Sequence, residues 1–150
     1  MAGFFCAKEK KLNRTQQIFQ QYHRFDDGAL VSIEQQYQPG GVQAVRIVLY
    51  ARNHGLEGDV WRHVAITVGD VRQVVIKTPG NFINRICCGV KLLRFGDVWC
   101  VDIDGTYTHA DPATLDEVRR DGDCYVIGGT VEAIELDQPA NTAVLSARRA

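Results

Sequence analysis

The sequence predicts an α+β domain that is mainly antiparallel β, with six to seven short strands in a meander or sandwich-like sheet and one or two short helices. Three observations favour this fold class. Apolar residues alternate with polar ones along most of the chain after residue 28, and only two stretches show helical spacing. The connections between the predicted strands are short and of the hairpin type, which favours antiparallel pairing.

The length of 150 residues predicts one domain, 1–150, that buries a sizeable core. The two ends, 1–11 and 138–150, are polar or lack a clear period, so we expect them to fray. No internal repeat or linker divides the chain.

The first helical stretch is predicted at 12–25, with Asn13 as its N-cap. The apolar residues of this stretch fall at helical spacing, which predicts a short helix or a turn-rich lead-in. They are Ile18, Phe19, Tyr22 and Phe25. An Asp-Asp-Gly sequence follows, which is typical of a turn and ends the helix.

The strands are recognised by alternation and by the Gly, Pro, Asn and Asp residues between them. Gly69 and Asp70 separate two of them, and the pair Gly128-Gly129 in the last one favours a bulge or a bend. The predicted strands are 30–38, 42–51, 60–68, 71–78, 86–95, 98–103 and 124–136.

The second helix is predicted directly after residue 110. Asp111 would be its N-cap, Pro112 its first residue, and Leu115 and Val118 its apolar contact. Gly122 would end it in a left-handed conformation.

Composition places the chain among ordinary globular proteins, with 45% apolar and 23% charged residues. No apolar run approaches the roughly 20 residues that a membrane helix needs. The basic cluster near the N-terminus follows a very short apolar piece, the reverse of a secretory signal. The sequence therefore predicts a cytoplasmic protein that does not enter a membrane.

The five cysteines do not predict a disulfide framework, because their number is odd and none of them forms a CxxC pair. Cys87 and Cys88 fall in a predicted strand, where neighbours point to opposite faces. We expect reduced thiols in the core. The cysteines are Cys6, Cys87, Cys88, Cys100 and Cys124.

Charge is distributed unevenly along the chain. Between Asp97 and Asp137 eleven carboxylates stand against only Arg119 and Arg120, which leaves a formal charge of −9, whereas residues 1–95 carry +6. A concentrated field of one sign steers association with a partner of the opposite sign. This pattern favours a basic protein as the partner.

Other binding chemistries find little support in the sequence. The four histidines share no metal-ligand spacing, and no phosphate-binding glycine motif is present. The arginines lie on polar strand positions or in loops, and the isoelectric point is near 6.4, so no nucleic-acid stripe is predicted. No cofactor and no bound metal are predicted.

The segment Val101-Asp102-Ile103-Asp104-Gly105-Thr106 resembles motif I of the haloacid dehalogenase superfamily, an apolar strand that ends in DxDGT. The resemblance implies that Asp102 is a nucleophile toward phosphate, that Asp104 is the general acid and base, and that Mg²⁺ lies beside them. The family also has a later lysine and a parallel sheet, whereas the 44 residues after Thr106 contain no lysine. A Mg²⁺-dependent phosphate hydrolase that uses Asp102 and Asp104 is the alternative function.

A second resemblance lies in the overall pattern of residues and not in a diagnostic motif. The segments 45–52, 61–66, 111–120 and 124–129 are similar to those of small, poorly characterised bacterial proteins that include toxin-immunity proteins. This resemblance implies a protein that binds and neutralises a toxin.

The predicted function is therefore a non-enzymatic protein-binding domain, a bacterial immunity-type inhibitor that meets its toxin through an acidic face. A small-ligand pocket inside the curved sheet and the oligomeric state stay open. The predicted partner-binding residues are Asp102, Asp104, Asp111, Asp116, Glu117, Asp121 and Asp123.

Overall fold

The computed structural model describes residues 2–108 and 111–136, with side chains from residue 9 onward. It confirms an α+β fold that is mainly antiparallel β, with six strands in one sheet and two α-helices. In chain order the elements are α1 (Ala2–Gln21), the 3-10 turn His23–Phe25, β1 (Ala29–Gln38), β2 (Gly41–Arg52), β3 (Trp61–Ile76), β4 (Val90–Phe95), β5 (Val98–Ile103), α2 (Leu115–Asp121) and β6 (Cys124–Leu136).

The strand order in the sheet is β1-β2-β3-β6-β5-β4, and all neighbours are antiparallel. β6 lies between β3 and β5, so the last strand joins the β1–β3 meander to the β4–β5 hairpin. β5 pairs with β6 only as far as Gly128, and β6 continues beside β3 to Leu136.

Gly69 and Asp70 do not separate two strands. β3 runs unbroken through them, with a bulge between Val71 and Gln73, and pairs with β6 on both sides of it. Asp70 has a φ of 48°, and a Cβ at Gly128 would lie 2.5 Å from the Gly69 carbonyl oxygen. The glycine in β6 leaves room for the bulged backbone, and the strand therefore bends instead of ending.

The prediction of a strand over 86–95 is wrong at its start, because β4 begins at Val90. The chain before it runs along the outer edge of β1. There the Leu30 N–H donates to the Asn84 carbonyl (2.8 Å) and the Ile86 N–H to the Gly28 carbonyl (2.8 Å). Backbone groups at the edge of a sheet need partners, and this short segment supplies them at the beginning of β1.

The four cysteines whose side chains the structure describes divide into two pairs. Cys87 and Cys88 lie in the loop before β4 and are both exposed, which corrects the prediction that they lie in a strand with one of them buried. Cys100 and Cys124 are buried as expected, and burial raises the pKa of Cys100 to about 12 and that of Cys124 to about 11.

One face of the sheet is covered by α1, which places Ile18, Phe19 and Tyr22 against the strands. The Thr15 hydroxyl accepts from the Ala133 N–H (3.0 Å). The helix therefore supplies a hydrogen-bond acceptor to β6 in the part of that strand that no longer pairs with β5. The helix begins at Ala2, well before the predicted N-cap at Asn13. Strong helix formers, Ala, Lys, Glu and Leu, dominate residues 7–12 and extend it. The segment 138–150, which we expected to fray, lies outside the described residues.

The opposite face is covered by α2 over part of its width. Val118 of the helix packs with Cys100, Tyr125 and Ile127 in a second, smaller apolar cluster. Among residues 2–108 and 111–136 no helix has the length and apolar composition to cross a membrane.

The ends of α2 differ from the prediction. Thr114, not Asp111, is the N-cap: its hydroxyl accepts from the Glu117 N–H (3.2 Å), while the Glu117 carboxylate accepts from the Ala113 N–H (2.9 Å). The sequence Thr114-x-x-Glu117 has the spacing of a capping box, with the Glu117 carboxylate bound to the residue before the N-cap. Gly122 is extended, with φ −79° and ψ 140°, and not left-handed.

Candidate functional site

Asp102, the first carboxylate of the DxDGT segment, lies near the end of β5 and is fully buried. One of its oxygens accepts from the Tyr107 hydroxyl (2.6 Å), and the other accepts from the Gly105 N–H (3.1 Å). The loop after β5 therefore folds back over the carboxylate. Both oxygens are held by the chain itself.

A buried lysine lies on the strand beside it. Lys91 of β4 is the register partner of Asp102, and its ammonium group donates to the carbonyl oxygens of Gly105 (3.0 Å) and Cys88 (3.4 Å). The same nitrogen is 5.7 Å from the centre of the Tyr107 ring. Lys91 thus brings a positive charge close to Asp102 and ties together the loops on either side of the β4–β5 hairpin.

The protonation of this buried group is governed first by desolvation. Burial raises the pKa of Asp102, and the Tyr107 hydrogen bond, the Lys91 charge and the Gly105 N–H oppose that rise. Burial also raises the pKa of Tyr107, and the hydrogen bond to Asp102 adds to this shift. Tyr107 is therefore a hydrogen-bond donor to the carboxylate.

Asp104, the second carboxylate of the segment, has a φ of 58° and is half-buried. Its side chain accepts from the backbone N–H groups of Cys87 (2.8 Å) and Cys88, and its own N–H donates to the Gly89 carbonyl (3.0 Å). Asp and Asn adopt the left-handed conformation more readily than other side chains. Asp104 fastens the loop before β4 to the loop after β5.

This arrangement favours a structural role for Asp102 and Asp104. A nucleophile must be reached by its substrate, and Asp102 is enclosed by Tyr107, Gly105 and the strands. Within residues 2–108 and 111–136 no three His, Cys, Asp or Glu side chains come together as potential metal ligands. The geometry brings Asp102 and Asp104 into one loop assembly, but it directs each toward protein groups.

The remaining predicted residues form a surface, which we call the α2 acidic surface: the exposed Asp111, Asp116, Asp121 and Asp123 with the half-buried Glu117. Three of the five make ion pairs with arginines. Arg24 contacts Asp111 (3.0 Å), Arg119 contacts Asp116 (3.7 Å) and Arg120 contacts Asp121 (3.1 Å). Five carboxylates against three arginines leave this surface a formal charge of −2.

Within residues 9–108 and 111–136, the two other carboxylates of the α2 acidic surface have no charged partner. Glu117 caps the helix, and the Asp123 side chain makes no hydrogen bond or ion pair within the part of the chain that the structure describes. The net negative charge of the folded surface is thus smaller than the number of carboxylates in the sequence suggests. Asp102 departs from the prediction altogether, since a fully buried group cannot lie on a partner-binding surface.

Sequence reasoning missed Lys91 and Tyr107, the two side chains that surround Asp102. A signal for Lys91 is present, because it is a charged residue in an apolar strand that faces Asp102 across a hairpin turn at Gly96-Asp97. Cross-strand pairing of opposite charges would have found it. Tyr107 follows in a loop, and no period places its ring over the carboxylate.

Comparison with protein-family models, with curated proteins and with solved structures finds no match to this chain. The resemblances to immunity proteins and to the haloacid dehalogenase motif therefore stay predictions from the sequence.

Proposed function

We propose that this protein is a non-enzymatic protein-binding domain, an immunity-type inhibitor that works in the cytoplasm and holds a basic protein toxin on its α2 acidic surface. The observation that supports this proposal is the placement of the carboxylates. Those around α2 are at the surface, whereas Asp102, the one that catalysis would need, is enclosed.

The electrostatics of the surface suit a basic partner. Its ion pairs are solvent-exposed, and exposed pairs of this kind contribute little to stability. Lysines or arginines of a partner can therefore replace them at small cost. The residual negative charge would accelerate the encounter with such a partner.

The helix that carries these groups is firmly attached. Its Val118 side chain is fully buried against the sheet, and its Arg119 guanidinium donates to the Gln73 side chain on β3 (3.0 Å). The capping box at Thr114 fixes its first turn. A surface held in this way loses little conformational freedom on binding, which favours affinity.

The experiment compares two triple variants that change the charge equally. One removes three carboxylates of the α2 acidic surface (Asp116→Asn, Asp121→Asn, Asp123→Asn), and the control removes three exposed carboxylates elsewhere (Glu9→Gln, Glu34→Gln, Glu57→Gln). Each tagged protein and the wild type are used to capture partners from a lysate of the native host at low and at high salt.

We expect one stoichiometric basic protein with the wild type and with the control, lost at high salt and lost with the α2 variant. In a direct binding assay the association rate of the α2 variant should fall by about tenfold or more, since steering of this type changes rates by about 10–10³. Equal binding by both triple variants would contradict the proposal.

The hydrolase alternative is tested separately with p-nitrophenyl phosphate and Mg²⁺. Turnover by the wild type that disappears in Asp102→Asn, with an unchanged circular dichroism spectrum, would establish that alternative. We expect no turnover, because the Asp102 carboxylate is enclosed.

A further inference from the structure

A groove lies between α1 and the β4–β5 hairpin, on the face of the sheet opposite to α2. Its volume is about 620 Å³. Small-molecule sites in proteins span roughly 300–1,000 Å³, so the groove has the size of a ligand site. Its lining residues are Gln16, Phe19, Gln20, His23, Arg24, Leu92 and Trp99.

The rim of this groove is made by an unusual turn. His23, Arg24 and Phe25 follow one another with φ values of 46°, 56° and 60°, a left-handed conformation that is sterically unfavourable for side chains of this kind. Phe25 is fully buried, with its ring stacked on Tyr22 (5.3 Å between centroids) and edge-on to Phe19 (5.1 Å). Packing of Phe25 therefore holds the turn in place.

His23 and Arg24, the first two residues of the turn, are exposed and line the groove. Backbone strain of this kind is found preferentially at functional sites, where it positions particular side chains. Here it sets an imidazole and a guanidinium next to each other at the mouth of the groove.

Both rim side chains are supported from behind. The His23 ring is parallel to the His54 ring, with 3.8 Å between centroids and an interplanar angle of 1°. The Arg24 guanidinium makes two contacts with the Asp111 carboxylate, at 3.0 and 3.4 Å. Groups held in this way are oriented before a ligand arrives, which lowers the entropic cost of binding.

The floor of the groove is flat and apolar. Trp99, Phe19 and Leu92 form it, and the guanidinium carbon of Arg94 lies 5.0 Å from the centre of the Trp99 ring. Arg94 has no carboxylate partner within the described ranges, and its Nε donates to the Gly96 carbonyl (3.2 Å). The lining thus combines an aromatic floor, two amides and the Arg24 guanidinium, and the Arg94 guanidinium lies beside it over the Trp99 ring.

We propose that this groove binds a small planar aromatic anion, with the ring of the ligand on the Trp99 and Leu92 floor and its acidic group toward Arg94 and Arg24. Aromatic rings pack on an indole face, and a guanidinium binds a carboxylate or a phosphate through charge-assisted hydrogen bonds. Aromatic carboxylates and mononucleotides share this chemistry. The groove shares the Arg24–Asp111 ion pair with the α2 acidic surface, while its apolar floor lies on the other face of the sheet.

The test uses the two tryptophans as reporters in nitrogen–proton correlation spectra. Trp99 lies in the groove and Trp61 on the other face of the sheet, so the two indole N–H signals separate local binding from non-specific binding. The Trp61→Phe variant assigns the signals. The probes are 2-naphthoate, AMP and the uncharged 2-naphthalenemethanol.

We expect a saturable shift of the Trp99 signal with 2-naphthoate, with AMP or with both, while the Trp61 signal stays in place. A response to 2-naphthoate alone identifies an aromatic carboxylate, and a response to AMP alone identifies a nucleotide. The uncharged probe should bind much more weakly. Arg94→Gln should weaken binding by about fivefold or more, because it removes a charge at the ring.

The control is Arg72→Gln, an equal loss of charge at an exposed position on β3. Arg94 lies over the Trp99 ring, whereas Arg72 pairs with Asp70 (3.7 Å). Both arginines are exposed, so both variants should fold, and the dispersion of the same spectra verifies this. Three results would each overturn the proposal: no saturable Trp99 shift with either anion, equal affinity for the uncharged probe, or the same affinity loss in Arg72→Gln as in Arg94→Gln.

Discussion

Two carboxylates in the described part of the chain accept a hydrogen bond from a tyrosine hydroxyl, and they lie in very different surroundings. Asp102 accepts from Tyr107 at 2.6 Å and is fully buried. Glu135, on β6, accepts from Tyr22 at 2.7 Å but keeps 30% of its side chain exposed. Glu135 also accepts from the Asn53 amide (2.9 Å) and pairs with Arg62 (3.2 Å).

The comparison shows what burial adds to the same hydrogen bond. Glu135 meets water and an exposed guanidinium, so its charge is solvated. Asp102 accepts hydrogen bonds from the Gly105 N–H and the Tyr107 hydroxyl and lies near the charge of the buried Lys91. These buried groups rely on the Asp102 carboxylate as an acceptor or as an opposite charge. Removing a member of a buried polar group leaves the others unsatisfied, which costs more than the contact contributes.

The largest effect is therefore expected from Asp102→Ala. Tyr107 and the Gly105 N–H would lose their acceptor and Lys91 a nearby opposite charge, so the free energy of unfolding should fall by about 3–5 kcal/mol. Chemical denaturation at neutral pH measures this loss. The control is Asp97→Ala, an exposed carboxylate in the turn of the same hairpin, which should change stability by less than about 0.5 kcal/mol. Equal stability of the two variants would show that the Asp102 assembly is dispensable.

Glu135→Ala should have a smaller effect, about 1–3 kcal/mol, because its main consequence is an unpaired hydroxyl on the fully buried Tyr22. Glu135→Gln keeps an oxygen acceptor for Tyr22 and should recover most of the loss. The same denaturation experiment compares the two variants. A loss in Glu135→Ala larger than that in Asp102→Ala would reverse the ranking of the two sites.

The smallest expected effect is a pH dependence of the folding stability that arises from the titration of Asp102. Its pKa is raised by burial above the unfolded value of about 3.9, so the folded state binds the proton more tightly. The resulting stability is fully present below about pH 4 and is lost as the pH rises through the folded pKa. Wild type should therefore lose stability relative to Asp102→Asn as the pH rises from about 4 toward neutrality. Parallel stability curves for the two proteins would contradict this assignment.

Much of the fold could be predicted from the sequence, because alternation reports which strand face is buried. β1, β2, β5 and β6 follow the predicted ranges closely. The sequence could not show that β3 continues through Gly69-Asp70, since the space for the bulge comes from Gly128, almost sixty residues later. Local turn residues indicate a bend, and only the partner strand decides whether pairing resumes after it.

The site was predictable only in part, for a similar reason. Asp116 and Asp121 are exposed as their charge suggests, but their neutralisation by Arg119 and Arg120 reduces the acidic field that the sequence predicts. The groove brings together His23 and Trp99, which are more than seventy positions apart in the sequence. The turn with positive φ values at its rim contains no glycine, so the sequence gives no signal for it. Pairings of this range depend on tertiary packing, which no local pattern contains.

The central place of β6 has a consequence for how the protein is made. The ribosome releases β6 after the other five strands, yet this strand lies between β3 and β5. A nascent chain that ends before Cys124 holds two separate pieces, β1–β3 and β4–β5, each with an open edge that can pair with other chains. Synthesis of the last thirteen-residue strand closes both edges at once, so the interval before its release is the period of greatest exposure to aggregation and to chaperones.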